Sequence, residues 1–141
     1  MGRINWKGVV LGGLVAGVVL NVFDWAVYGM WLKNDFAAAM QAIGKSGAMP
    51  DSMIGWFVFL DFVYGIALLW VYAAIRQRFG ASVQTAVIAG VAVWLFIAFL
   101  HALGEAPMGL LPQRLYVLTT IVALLQIPLA TVAGAYLYKE V

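Results

Sequence analysis

The chain predicts an all-α membrane fold: an antiparallel four-helix transmembrane bundle, with a short interfacial helix after the first span, in one domain covering residues 1–141. Three observations predict it. Hydrophobic residues make up 65% of the chain and charged residues 10%, with a mean hydropathy of +0.99, whereas soluble domains are about half apolar and about a quarter charged. Four apolar runs, at about 8–32, 53–75, 83–104 and 114–138, each supply the roughly 20 helical residues that cross a hydrocarbon core. Lysine and arginine are unequally divided between alternate flanks. Arg3, Lys7, Arg76, Arg78 and Lys139 fall on one side, against Lys33, Lys45 and Arg114 on the other, so the positive-inside rule places both termini in the cytoplasm.

The first run follows Arg3 and Lys7 as a signal peptide would. It is too long for an h-region and lacks a small-x-small cleavage site before its polar residues, so it reads as a retained helix. After it, DFAAAMQAIG offers Asp35 as a cap, apolar residues at Phe36, Ala39, Met40 and Ile43, and Gly44 as a stop. This pattern predicts a short amphipathic helix lying in the interface. Pro50 ends that linker, and Asp51 or Ser52 is placed to cap the second span. Gly80 turns the chain before Ser82 caps the third, and Pro112 suits the first turn of the fourth. Trp6, Trp31, Trp56 and Tyr116 fall near span ends, as an aromatic belt requires, while Trp25, Trp70 and Trp94 lie deeper. Gly13 and Gly17, Ala86 and Gly90, and Ala130 and Gly134 form small-xxx-small steps at which backbones can approach closely. Pro128 should bend the last span and free the carbonyl of Leu124.

Several function classes are excluded. The basic residues are scattered singly and the net charge is only +2, so there is no nucleic-acid footprint. With no cysteine and one histidine, thiol chemistry, disulfides and His-rich metal sites are ruled out. Hydrolase motifs, phosphate-cradling glycine loops and Glu-x-x-His pairs are also missing, and no cofactor is indicated.

What remains is a set of polar residues inside apolar runs. A carboxylate at the centre of a membrane helix costs about 2.5–3.5 kcal/mol on insertion scales, so Asp24 and Asp61 should face protein or water. Spacings of three and four put Gly13, Gly17, Asn21, Asp24 and Tyr28 on one face of the first span. The corresponding stripes carry Asp61 and Tyr64 in the second, His101 and Glu105 in the third, and Gln126 in the fourth. Each span is therefore expected to turn a polar stripe inward. At about 1.5 Å per residue these groups run from the non-cytoplasmic surface to near the midplane, leaving the cytoplasmic half without any. Two or three carboxylates and one imidazole without a buried cation form a site that wants positive charge, either a proton or a divalent metal. Asp24, Asp61, His101 and Glu105 are the candidate ligands, and Asn21, Gln126, Tyr28 and Tyr64 the candidate interhelical polar residues.

The opening NWKGVVLGGLVAGVVLNVFDW, the RQRFG turn with the following TAVIAG, and the closing LATVAGAYLYKE resemble a widespread group of small uncharacterised bacterial four-helix integral membrane proteins. The resemblance implies a bacterial inner-membrane protein, with Asn21 and Asp24 matching an Asn-x-x-acid pattern in the first helix and Gln126 a Gln or Glu in the last. It carries no activity with it.

Two readings follow. In the first, the chain is an accessory subunit of a larger membrane assembly, and the polar cluster sets helix register. In the second, it is a cation- or proton-binding transporter-like or sensor-like protein; an enzyme is a distant third. Four short spans enclose little volume, so beyond the lipid bilayer the expected partners are further copies of the chain or the subunits of a complex.

Overall fold

The computed structural model describes residues 3–140, which are helical with short connections and contain no strand. Helix α1 (Trp6–Ala26) continues through a π-helical turn at Val27–Trp31, and α2 (Lys33–Ala42) follows at once. Helix α3 is Asp51–Phe79. Helix α4 (Val83–Trp94) passes through a second π turn, Leu95–Phe99, into α5 (Leu100–Glu105) and a 3-10 turn at Ala106–Met108. Helix α6 is Gln113–Ala135. Four stretches, Trp6–Trp31, Asp51–Phe79, Val83–Met108 and Gln113–Ala135, are long and apolar enough to cross a membrane.

Local chemistry sets most of the boundaries. Asn5 Oδ1 accepts from the Gly8 amide at 3.1 Å and Ser82 Oγ from the Thr85 amide at 3.0 Å, each satisfying a free donor of a first turn. Gly44 and Gly80 take positive φ values of 79° and 85° and stop α2 and α3. Asp35 is not a cap, however. The π turn brings the chain round so that α2 already begins at Lys33, and Asp35, in its first turn, accepts from Arg114 Nη1 at 3.0 Å. Pro50, rather than Asp51 or Ser52, occupies the cap position of α3. Helix α6 runs unbroken over Pro128, whose Cα lies where a side chain on Gly90 would sit.

Helix α1 packs along both α3 and α6, and α6 packs in turn on α4. Glycine makes the first two contacts possible. A Cβ on Gly65 would strike the Gly13 carbonyl oxygen and the Gly17 amide nitrogen, and one on Gly12 would sit 2.6 Å from the Gly134 carbonyl oxygen. The core around these contacts is Val9, Ala16, Leu20, Leu68, Leu69, Tyr72, Ala73, Ala86, Ala89, Ile127, Ala130 and Tyr138. A smaller cluster of Val27, Leu32, Ala39 and Leu115 holds α2 against the start of α6. Tyr116 is buried beside it rather than standing at the surface, while Trp6, Trp31 and Trp56 are exposed.

At the far end Asn5 is clasped to Tyr138 and Lys139. Asn5 donates its backbone N–H to the Tyr138 hydroxyl at 3.1 Å and its Nδ2 to the Lys139 carbonyl at 2.8 Å. Arg76 donates to the Tyr138 carbonyl at 3.0 Å and lies 5.2 Å over that residue's ring, within cation–π range.

Because Gly65 is enclosed by backbone that cannot yield, Gly65→Ala is expected to lower unfolding stability by about 1–3 kcal/mol. Gly55→Ala, where a Cβ meets nothing within 4 Å, is expected to gain up to about 1 kcal/mol from helix propensity. Denaturant unfolding of both variants in the same detergent checks the pair.

Candidate functional site

Asn21 and Asp24 lie three residues apart in α1, on the flank where it meets both neighbours. Asn21 Nδ2 donates to the Gly17 carbonyl of its own helix at 2.9 Å and to the Val58 carbonyl of α3 at 3.3 Å. Gln126 reaches back from α6, its Nε2 donating to the Leu20 carbonyl at 3.3 Å and to Asp24 Oδ1 at 2.7 Å. The Leu20 carbonyl can only accept, so it must be the amide NH2 of Gln126 that faces α1, which fixes the orientation of that side chain. Two neutral amides thus tie α1 to each partner helix.

Asp61 stands across from this latch on α3. It is 8% exposed, and among the described residues it makes neither a hydrogen bond nor an ion pair. Its carboxyl lies within electrostatic reach of Asp24, and the Tyr28 hydroxyl lies within reach of both. Among the described residues no Lys, Arg or His pairs with either aspartate; the three ion pairs are Arg76 with Glu140, His101 with Glu105, and Arg114 with Asp35. Immediately before Asp61, residues 51–59 of α3 are all exposed. The carboxyl therefore sits where α3 passes from uncovered surface into the packed bundle.

The other candidates are placed differently. His101 Nε2 and Glu105 Oε1 meet at 3.1 Å one turn apart, but their side chains are 63% and 38% exposed, so they form a surface pair rather than an inner wall. The reason is the second π turn. It adds a residue to that turn and rotates the chain beyond it relative to α4, and from Leu95 to Met108 no side chain is buried. Trp94 marks the divergence, donating Nε1–H to the Thr120 carbonyl at 2.9 Å and stacking with Phe99 at 5.4 Å. Tyr64 is 45% exposed and Tyr28 39%, the latter against Phe36 of α2 at 5.2 Å. The expectation that all four helices turn a polar stripe inward is thus corrected in part: α1, α3 and α6 do so, while in the third stretch His101 faces outward and Glu105 is half-buried near the Tyr116 hydroxyl of α6. No group of three or more His, Asp or Glu side chains that could hold a metal ion occurs among the described residues.

The half of the bundle nearer the clasp is not free of polar groups either. Thr85 and Thr131 are 2% and 0% exposed there. Thr131 Oγ1 donates to the Ile127 carbonyl of its own helix at 2.8 Å, and Thr85 Oγ1 pairs with Ser82 Oγ at 3.0 Å. Hydroxyls satisfied locally add no polar stripe, which is why their burial left no signal in the sequence. The clefts beside Arg76, of about 260 and 640 Å³, open at this end, and neither is lined by Asp24 or Asp61. Asp61 lies about 22 Å from Arg76 along α3, at about 1.5 Å per residue.

Compared with known protein families, curated proteins and solved structures, the chain finds no match in any of the three.

A double-mutant cycle on Asp24→Ala and Gln126→Ala is expected to return a coupling of about 1 kcal/mol, as for a buried hydrogen bond. Unfolding measurements on the two single variants and the double variant give that value. Additive effects would show that the 2.7 Å contact does not hold the helices together.

Proposed function

We propose that this chain is a multi-pass protein of the bacterial inner membrane, antiparallel in its four long helices and with both termini in the cytoplasm. We propose also that it binds a monovalent positive charge, a proton or an alkali cation, between Asp24 and Asp61. The membrane reading is supported by its outer surface, where Trp25, Phe96, Leu103, Ile121 and Leu125 are between 56% and 66% exposed, more apolar than water-facing monomers present. Contacts such as Gly12 with Gly134 and Gln126 with Leu20, in which rising numbers on one helix meet falling numbers on the other, support the antiparallel arrangement. On this reading α2 lies in the headgroup region with Trp31 and Trp56.

One observation carries the charge-binding function: an aspartate that is 8% exposed and makes no hydrogen bond lies within electrostatic reach of a second aspartate, and among the described residues no cationic side chain pairs with either. Two carboxylates within electrostatic reach of one another and only partly open to water repel, and a positive charge bound at either relieves that repulsion. The same geometry favours a proton or a single small ion over a divalent metal, since the set of ligands is short.

A subunit role is favoured by a separate observation. Residues 95–108 and the first turns of α3 are uncovered along much of their length, and Gly55 and Gly104 present faces on which nothing packs within 4 Å. The mass of the protein in mild detergent checks this: a particle carrying only one chain would refute it.

For the charge site, the thermal midpoint should rise on acidification or on addition of a monovalent cation. The stabilisation reaches about 2.7 kcal/mol at a hundredfold excess of ligand over its Kd. In Asp61→Asn and Asp24→Asn, verified as helical and monodisperse, that response should vanish. A response that survives unchanged in both variants sinks the proposal.

A further inference from the structure

The two carboxylates are not equivalent, and this says what the pair holds. Asp24 Oδ1 receives the NH2 of Gln126 at 2.7 Å, an amide whose orientation is fixed by the Leu20 carbonyl. That bond engages one Asp24 oxygen as an acceptor. Asp61 receives none; the residue is 8% exposed, its carboxyl oxygens still reach the surface, and it lies within electrostatic reach of Asp24 and Tyr28. The groups facing the pair are Tyr28 from the π turn after α1, Gln126 from α6, and the amide of Asn21, which is spent on the carbonyls of Gly17 and Val58. Asp24 keeps one oxygen free and Asp61 both, and a proton needs only one of them. Resting on the charge-binding reading above, we propose that the bound charge is a proton carried on Asp61, with Asp24 as its fixed anionic partner and Gln126 as the positioning residue that makes the two unequal.

Dicyclohexylcarbodiimide tests this directly, because it reacts with protonated carboxyls in apolar surroundings. The carboxyl proton moves to one carbodiimide nitrogen, the carboxyl oxygen bonds to the central carbon, and the O-acylisourea rearranges to a stable N-acylurea that carries the whole reagent. The protein is treated in membrane vesicles across a pH series, with and without sodium or potassium, and the adduct is located by mass spectrometry. Asp61 is expected to be labelled about tenfold more than Asp24, the ratio an ordinary charge-assisted hydrogen bond on Asp24 sets. Labelling should fall as the pH rises and ignore both cations. In Gln126→Leu, Asp24 should become labelled to the same extent as Asp61.

Each contrary result overturns a different part. Label on Asp24 rather than Asp61 reverses the assignment but leaves the paired site. Protection by sodium or potassium replaces the proton with an alkali cation and likewise leaves the charge-binding reading standing. Absence of label on both aspartates at every pH, in protein that is folded by circular dichroism, overturns the proton. If the thermal response to cations is also absent, the charge-binding reading falls with it.

Discussion

The close approach of α1 to α3 and α6 is the constraint on which the rest depends. Gly65 lies against the backbone of Gly13 and Gly17, and Gly12 against Gly134, at distances no side chain could share. Only at that separation can the short amide of Asn21 reach the Val58 carbonyl, or that of Gln126 reach both Leu20 and Asp24. Helices held further apart by alanine or leucine would leave these groups without partners, and an unsatisfied buried amide costs about 1–3 kcal/mol. The glycines and the amides are therefore one device, in which the first sets the distance and the second the register.

Much of this was legible in the sequence because it repeats at helical spacing. Gly13, Gly17, Asn21 and Asp24 share a face in any regular α-helix, and that helix keeps α-helical hydrogen bonding through Ala26, so the pattern holds. Asp61 and Gln126 were legible for the same reason, as isolated polar residues in long apolar runs. His101 and Glu105 follow the same spacing, yet they end on the surface. Their helix departs from α geometry at Leu95, and a π turn has no period for an apolar pattern to reveal. The clasp of Arg76, Tyr138 and Asn5 was hidden for a different reason: its members are 62 and 133 residues apart, and each reads alone as an ordinary helix-end residue. Thr85 and Thr131 escaped notice because a hydroxyl that bonds locally buries without a partner helix.

The bundle is unevenly finished at its two ends. At the clasp, Arg76 spans Tyr72 and Tyr138 and Asn5 is hydrogen-bonded to Lys139, so α1, α3 and α6 are closed on one another. At the other end α2 is tied to α6 through Asp35 and Arg114, an ion pair with side chains 39% and 66% exposed that contributes at most about 1 kcal/mol. There α3 and the continuation of α4 run on without burying their side chains. The carboxyl of Asp61 sits at the boundary between the closed and the open part. A group at such a boundary can exchange a proton with its surroundings while its partner on α1 stays fixed by the packed half.

This placement bears on whether the aspartates serve the fold alone. Register between α1 and its neighbours is already set by two neutral amides, Asn21 and Gln126, which satisfy themselves on backbone carbonyls and need no charge. Asp24 adds an acceptor to that latch and so has a structural use. Asp61 has none: among the described residues it bonds nothing, and the charge of Asp24 acts on it by repulsion. A leucine of similar volume would bury there without the cost of desolvating a carboxyl group that bonds nothing. A residue that costs stability and gains none through packing is the one to which the proposed charge binding assigns a use. The pairing of a fixed carboxylate on α1 with a free one on α3 is what a reversible site for a single positive charge requires.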